Sequence, residues 1–190
     1  MAQAPLYGLV LAGGRSSRMG MDKAQICYHD LPQWKYTLDL LTPLVGRSFL
    51  SIRPDQKTQY AGKAELLTDQ FPNCGPMGGL LTAQQAFPQI SWLIFGCDLP
   101  LLTLNSLKLL VEGRKPHLQG GCLSNGTYEP MVSIWEPSTH TFLLHAHKQG
   151  AFSLRRIMQQ LDFAKTPPQD PKELANINSP QDRQALDLGH

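Results

Sequence analysis

A chain of 190 residues, 42% of them hydrophobic, is long enough to bury one sizeable core, and a single domain over residues 1–190 is the simplest count. A net charge of +2, with basic residues dispersed rather than interleaved with aromatics, argues against a nucleic-acid-binding or membrane-attracted surface. No apolar stretch approaches the roughly 20 residues of a membrane helix, and the first residues lack the basic start and long apolar run of a secretory signal. Cys27, Cys74, Cys97 and Cys122 are scattered without a C-x-x-C pair. That disfavours a zinc site or a disulfide framework, and makes reduced thiols in a cytoplasmic protein the expectation.

In chain order, Leu6–Leu11 reads as a buried strand running into Gly13-Gly14. Across residues 32–44, Trp34, Leu38, Leu41 and Leu44 recur at helical spacing, with Pro32 suited to a first turn. Ser48–Ile52 reads as a second strand and residues 65–67 as a third. Residues 78–87 predict a helix opened by small residues and stopped before Pro88. The SWLIF run at 91–95 is apolar throughout, as for a strand covered on both faces. A helix over 103–112 follows, with Gly113 as its stop. Strands at 118–123 and 131–135 flank an Asn125-Gly126 turn, and helices follow at 138–148 and 153–161. Residues 165–172, with Pro167, Pro168 and Pro171, read as a loop; 179–188 read as a closing helix with Ser179 as cap and Pro180 in its first position. The alternation of strands and helices predicts an α/β fold: a three-layer α/β/α sandwich with a mostly parallel, Rossmann-like sheet.

The segment richest in chemistry is LAGGRSSRMGMDKA, residues 11–24. Glycines at a strand end let backbone N–H groups approach an anion without a Cβ in the way. Arg15, Arg18 and Lys23 can then neutralise several phosphate oxygens at once. It is not a Walker loop, because Lys23 precedes Ala24 rather than Ser or Thr, and Gly13-Gly14-Arg15 breaks the spacing of a dinucleotide fingerprint. A second candidate, Asp98 in Gly96-Cys97-Asp98-Leu99-Pro100, follows the SWLIF strand. Ligands of open parallel sheets bind beyond the carboxyl ends of strands, and a hard carboxylate there suits Mg²⁺. The alternative, that Asp98 caps the next helix, is weakened by Thr103, which holds the better cap position. His140, His145 and His147 read as a solvated helix face, since i, i+2 spacing does not bring two side chains together.

The run at 11–24 resembles the signature of the molybdenum cofactor guanylyltransferases, within the wider nucleotidyltransferase family that includes the sugar-nucleotide enzymes. Three further segments carry the resemblance. Family members place a magnesium aspartate at the C-D-x-P position, here Asp98. The stretch DQFPNCGPMGGL, residues 69–80, contains the family's base-enclosing G-P-x-x-G loop, and the resemblance makes Asp69 a nucleotide contact. NINSPQD, residues 176–182, matches a closing N-x-N-[TS]-P-x-[DE] element; helix-start chemistry explains Ser179, Pro180 and Asp182, leaving Asn176 and Asn178 as candidate acceptor contacts. Tyr128-Glu129-Pro130-Met131 resembles an acceptor-side segment, although Glu129 could equally be a solvated turn residue. One departure is Ser51, which stands where the family often has asparagine.

The resemblance implies a nucleotidyltransferase that moves GMP from GTP onto the phosphate of molybdopterin and releases pyrophosphate. Nucleotide-binding residues are then Leu11, Ala12, Gly13, Gly14, Lys23, Asp69 and Asp98; catalytic residues are Arg18, Lys23 and Asp98; and Asp98 holds Mg²⁺. Arg15 and Arg18 would hold the pyrophosphate, and Gly14 would leave room at the edge of the base pocket. The partners implied are GTP, molybdopterin, and molybdoenzymes or cofactor-delivery proteins, for a monomer. Leu-Ala-Gly-Gly looks like the guanine type, the cytosine enzymes typically showing Leu-Ala-Ala-Gly. The alternatives are an enzyme of the same fold using CTP or a sugar phosphate, and a nucleotide-binding partner protein without catalysis.

Overall fold

The computed structural model describes residues 3–14 and 22–177. The strands are β1 (Leu6–Leu11), β2 (Ser48–Ile52), β3 (Leu66–Thr68), β4 (Ser91–Gly96), β5 (Gly120–Ser124), β6 (Tyr128–Trp135) and β7 (Phe163–Thr166). They form one seven-stranded sheet in the order β3-β2-β1-β4-β6-β5-β7. Pairing is parallel from β3 through β4 and between β5 and β7, whereas β6 runs antiparallel to both its neighbours.

Side-chain alternation along the strands makes the three layers. Val10, Leu50, Leu93 and Phe95 pack with α1 (Gln33–Leu41) and α4 (Leu104–Glu112). Their neighbours Leu9, Phe49, Trp92 and Ile94 pack with α3 (Pro76–Ala86), α5 (His140–Lys148) and α6 (Leu154–Met158) on the other face. Both faces of β4 are covered and all six of its residues are buried, which is why its sequence shows no polar alternation.

Several boundaries differ from the sequence expectation. The helix predicted over 32–44 is α-helical only to Leu41 and tightens to a 3₁₀ turn over Thr42–Leu44, because Pro43 cannot donate to the ladder. The helix expected from 78 starts at Pro76, after Gly75 turns the chain with φ 57°. The predicted 153–161 helix spans only Leu154–Met158, capped by Ser153. Part of the predicted 165–172 loop is strand β7, an edge strand whose pairing with β5 no local pattern announces. A one-turn helix, α2 (Lys57–Tyr60), was not expected. The closing helix at 179–188 lies outside the described residues.

The register places the carboxyl ends of three strands side by side. Leu11 of β1 pairs with Ser51 of β2 and with Gly96 of β4, so the segments that follow all emerge at one edge.

Candidate active site

Beyond that edge lies a cavity of about 690 Å³ that brings together Leu11, Gly13 and Gly14 with Asp69 and the Gly75–Gly79 turn. The residues expected to enclose a base therefore do share one space. The buried Ser51 hydroxyl donates to Asp69 Oδ1 at 2.6 Å, fixing the carboxylate in the cavity wall. Burial pushes the Asp69 carboxyl above its ordinary range, against the Ser51 hydrogen bond and the charge of Arg53. Two glycines let α3 approach. A Cβ at Gly79 would lie 2.4 Å from Ser51 Oγ, and one at Gly78 would lie 2.4 Å from the Phe71 carbonyl oxygen. Gly78→Ala must therefore move backbone in the cavity wall. We expect it to lower stability by about 1–3 kcal/mol, the usual cost of overpacking, and to weaken nucleotide binding. Thermal melts and a GTP titration test this, with Gly121→Ala, whose Cβ would meet nothing closer than 3.6 Å, as the tolerated control.

A smaller cavity of about 150 Å³ adjoins the first, with Leu11, Gly14 and Met131 in the walls of both. Ala12, Lys23, Ala24, Cys97 and Asp98 complete it. Gly96 makes room here: a Cβ would lie 2.7 Å from Asp98 Oδ1 and 2.4 Å from the Met131 methyl. Asp98 does not cap α4. Thr103 does so, its hydroxyl accepting from the Ser106 N–H at 3.4 Å. Asp98 Oδ1 is buried with no hydrogen-bond partner among the described residues. Burial pushes its carboxyl upward, opposed by a backbone hydrogen bond and the Lys23 ammonium.

Glu129 is not a solvated turn residue. It is 7% exposed, and its Oε1 accepts from the Met131 N–H at 3.0 Å. Burial raises its carboxyl most, and the Asp98 charge raises it further, while Arg155, 3.6 Å away, and an Asn176 hydrogen bond oppose the shift. Asn176 is thus tied to the acidic pair, and the next residue's N–H donates to the Asp98 carbonyl at 2.9 Å. An orphaned carboxylate oxygen near a second carboxylate is a hard, anionic donor set that fits Mg²⁺, which takes one or two carboxylates and completes its shell with water and phosphate. No group of three or more His, Cys, Asp or Glu among the described residues is arranged for a metal. Arg15, Arg18, Asn178 and the Ser179–Pro180 cap lie outside the described residues.

The histidines stay apart from the site, with one correction. His140 bonds Gln84 and His145 bonds Gln149, but His147 packs its ring edge-on to Phe71, 5.2 Å between centroids, and so backs the cavity wall instead of facing solvent. Met131, named in the acceptor-side segment, is shared by both cavities; sequence reasoning missed Arg53, whose Nη1 donates to the Gly13 and Gly14 carbonyls at 2.9 and 3.2 Å. A cation directly after a strand at the ligand-binding edge was the available signal for Arg53.

A family model for the MobA-like NTP transferase domain matches residues 8–165. The chain is 36% identical over 186 residues to the molybdenum cofactor biosynthesis bifunctional protein of Synechocystis; the match covers 96% of this chain and 54% of that protein, so the chain spans about half its length. It is 31% identical over 192 residues to the molybdenum cofactor guanylyltransferase of Pseudomonas paraeruginosa, covering 95% and 93% of the two chains. The crystal structure of molybdopterin-guanine dinucleotide biosynthesis protein A from Archaeoglobus fulgidus has the same fold, with a TM-score of 0.79, 21% identity, and 94% and 95% of the chains covered. With a cavity of about 690 Å³ joined to a compartment holding a lysine and an orphaned carboxylate, this chain belongs to the MobA-like NTP transferase domain family and is a nucleotidyltransferase of the molybdenum cofactor guanylyltransferase type.

Proposed function

We propose that the chain transfers GMP from GTP to the phosphate of molybdopterin, in the cytoplasm, with Mg²⁺. The observation that carries this reading is the junction of the two cavities at Leu11, Gly14 and Met131. The larger takes the nucleoside; the smaller, with Lys23 and Asp98, takes the reacting phosphates. An oxygen of the acceptor phosphate attacks the α-phosphorus of GTP, the bond from that phosphorus to the bridging oxygen breaks, and pyrophosphate leaves in line. The acceptor phosphate is already ionised near neutral pH, so no general base is required; catalysis rests on positioning and charge neutralisation. Lys23 stabilises the transferring phosphate, and Arg15 and Arg18 hold the pyrophosphate. Asp98, with Glu129 beside it, would hold Mg²⁺, which when bound supplies positive charge to the crowded phosphates. The acceptor lies on the Glu129 and Asn176 side, and the product passes to molybdoenzymes or delivery proteins.

A thermal-shift panel of the four nucleoside triphosphates with Mg²⁺, with and without molybdopterin, tests the assignment. A ligand at a hundredfold excess over its dissociation constant stabilises by about 2.7 kcal/mol. Stabilisation by CTP and not GTP would overturn the guanine assignment.

The choice of nucleotide is tested separately at Gly13. Gly13→Ala gives the Leu-Ala-Ala-Gly order of the cytosine enzymes, and the new Cβ would lie 3.1 Å from Asp69 Oδ2 and 3.5 Å from the Arg53 nitrogen. At Gly14, by contrast, a Cβ would meet nothing within 4 Å. The methyl therefore acts by crowding Asp69 and narrowing the larger cavity. GTP is expected to lose roughly 1–3 kcal/mol more than CTP, the scale of one methylene-sized misfit. Equal losses in steady-state transfer would show that the glycine pair serves only the turn and the phosphates.

A further inference from the structure

We propose that Gln56 is a positioning residue for nucleotidyl transfer, holding the glycine segment and the Lys23 turn in one register. Gln56 ends the short Pro54–Gln56 turn after β2 and is 4% exposed. Its Oε1 accepts from the Arg53 N–H at 3.0 Å. Its Nε2 donates to Asp22 Oδ2 at 2.9 Å and toward the Ala12 carbonyl at 3.4 Å. Both ends of the carboxamide are thus engaged, each on a different segment. Asp22 in turn accepts from the Ala24 N–H at 3.0 Å, capping the Lys23–Gln25 turn and fixing the residues on both sides of Lys23. Tyr60 closes the far side, its hydroxyl 3.4 Å from Asp22 Oδ2 and accepting from Gln25 Nε2 at 2.8 Å.

The same turn grips the other flank. Arg53, steadied by Asp55 at 3.0 Å, holds the Gly13 and Gly14 carbonyls. One four-residue turn therefore fastens residues 12–14 and 22–25, and these carry Gly14 and Lys23 into the smaller cavity. Gln56 itself lines neither cavity. A space-filling role at a buried position is served as well by Met or Leu; a fully bonded carboxamide joining three segments instead fixes their relative placement.

The inference rests on the nucleotidyl-transfer reading, and its test separates the two. In the full chain, Gln56→Glu keeps the size but replaces both donated hydrogen bonds with a carboxylate facing Asp22. Tyr60, Cys97, Lys23, Arg53, Asp55 and Asp69 are titratable or charged groups around Asp22 or the turn among the described residues. The expected result is a loss of about 10²-fold in kcat for pyrophosphate release from GTP with molybdopterin, the scale of a misplaced reacting group. KM for GTP changes little. Hydrogen exchange at residues 12–14 and 22–25 should quicken. Combining Gln56→Glu with Asp22→Asn reverses donor and acceptor between these two residues but leaves the Ala12 carbonyl without its donor, so exchange protection should return at residues 22–25 and kcat should recover in part. Should Gln56→Glu fail to fold, Gln56→Met carries the same comparison and should lose both. A wild-type kcat in the folded single variant, or no recovery in a folded double variant, overturns the proposal. Exchange needs no substrate: a wild-type chain that released no pyrophosphate would end the substrate assignment and leave Gln56 to be judged on exchange alone.

Discussion

Asp98→Asn is expected to slow pyrophosphate release by roughly 10²–10³-fold, the usual cost of removing one electrostatic contact to a reacting centre. The substitution keeps shape and removes charge. Its Oδ1 is buried without a partner among the described residues, and burial has pushed the carboxyl upward. The sign for stability follows from that direction. A carboxyl whose folded pKa exceeds its unfolded value favours the protonated form on folding, so its ionisation costs stability in full above the raised folded pKa, and the cost fades as pH falls from there to the ordinary carboxylate value. A neutral amide escapes that cost. Asp98→Asn should therefore melt no lower than the wild type at neutral pH while losing nearly all activity, the combination expected where stability is given up for function. A melting temperature well below the wild type would make Asp98 a structural residue; full activity would remove it from the metal site. Removal of Mg²⁺ with a chelator should reduce the wild type to the level of the variant.

Lys23→Ala should weaken GTP and GDP alike and slow transfer, by roughly 10- to 100-fold. This corresponds to a hydrogen bond to a charged group, worth about 1.5–3 kcal/mol. Lys23 lines the smaller cavity with Asp98, whereas Asp69 lines the larger one, and the proposed partner of Lys23 is accordingly a phosphate and not the base. The preference for GTP over CTP should accordingly be unchanged. Calorimetric titration with GTP, GDP and CTP, beside steady-state transfer, checks both halves. A large switch in base preference would place Lys23 at the base and refute the division of labour between the cavities.

How much of this was legible in the sequence divides along physical lines. Features whose cause is local were read directly. An apolar run such as SWLIF is a strand buried on both faces because every residue must avoid water, and β4 is buried throughout. Trp34, Leu38 and Leu41 recur with helical period because one face of α1 meets the core. Asp98 stood out because a strand end, a carboxylate and a better cap at Thr103 lie within eight residues.

What only the tertiary structure decided depends on residues distant in sequence. Pattern alone does not distinguish β7 from a loop, since an edge strand is defined by its partner, here β5 some forty residues earlier. Glu129 looks like a turn residue until β6 is laid against β4, which buries it within the field of Asp98. Ser51 and Asp69 are 18 residues apart, and Gln56 and Asp22 are 34 apart; each pair bonds because the parallel register of β1, β2 and β3 brings their strand ends to one edge. The sequence by itself determined most of the strands and helices, though not β7 or α2, and the charged groups available for phosphate chemistry, because period, apolarity and turn chemistry act over a few residues. The order β3-β2-β1-β4-β6-β5-β7 decided which of those groups meet, because long-range pairing brings together residues whose sequence neighbours carry no trace of the contact.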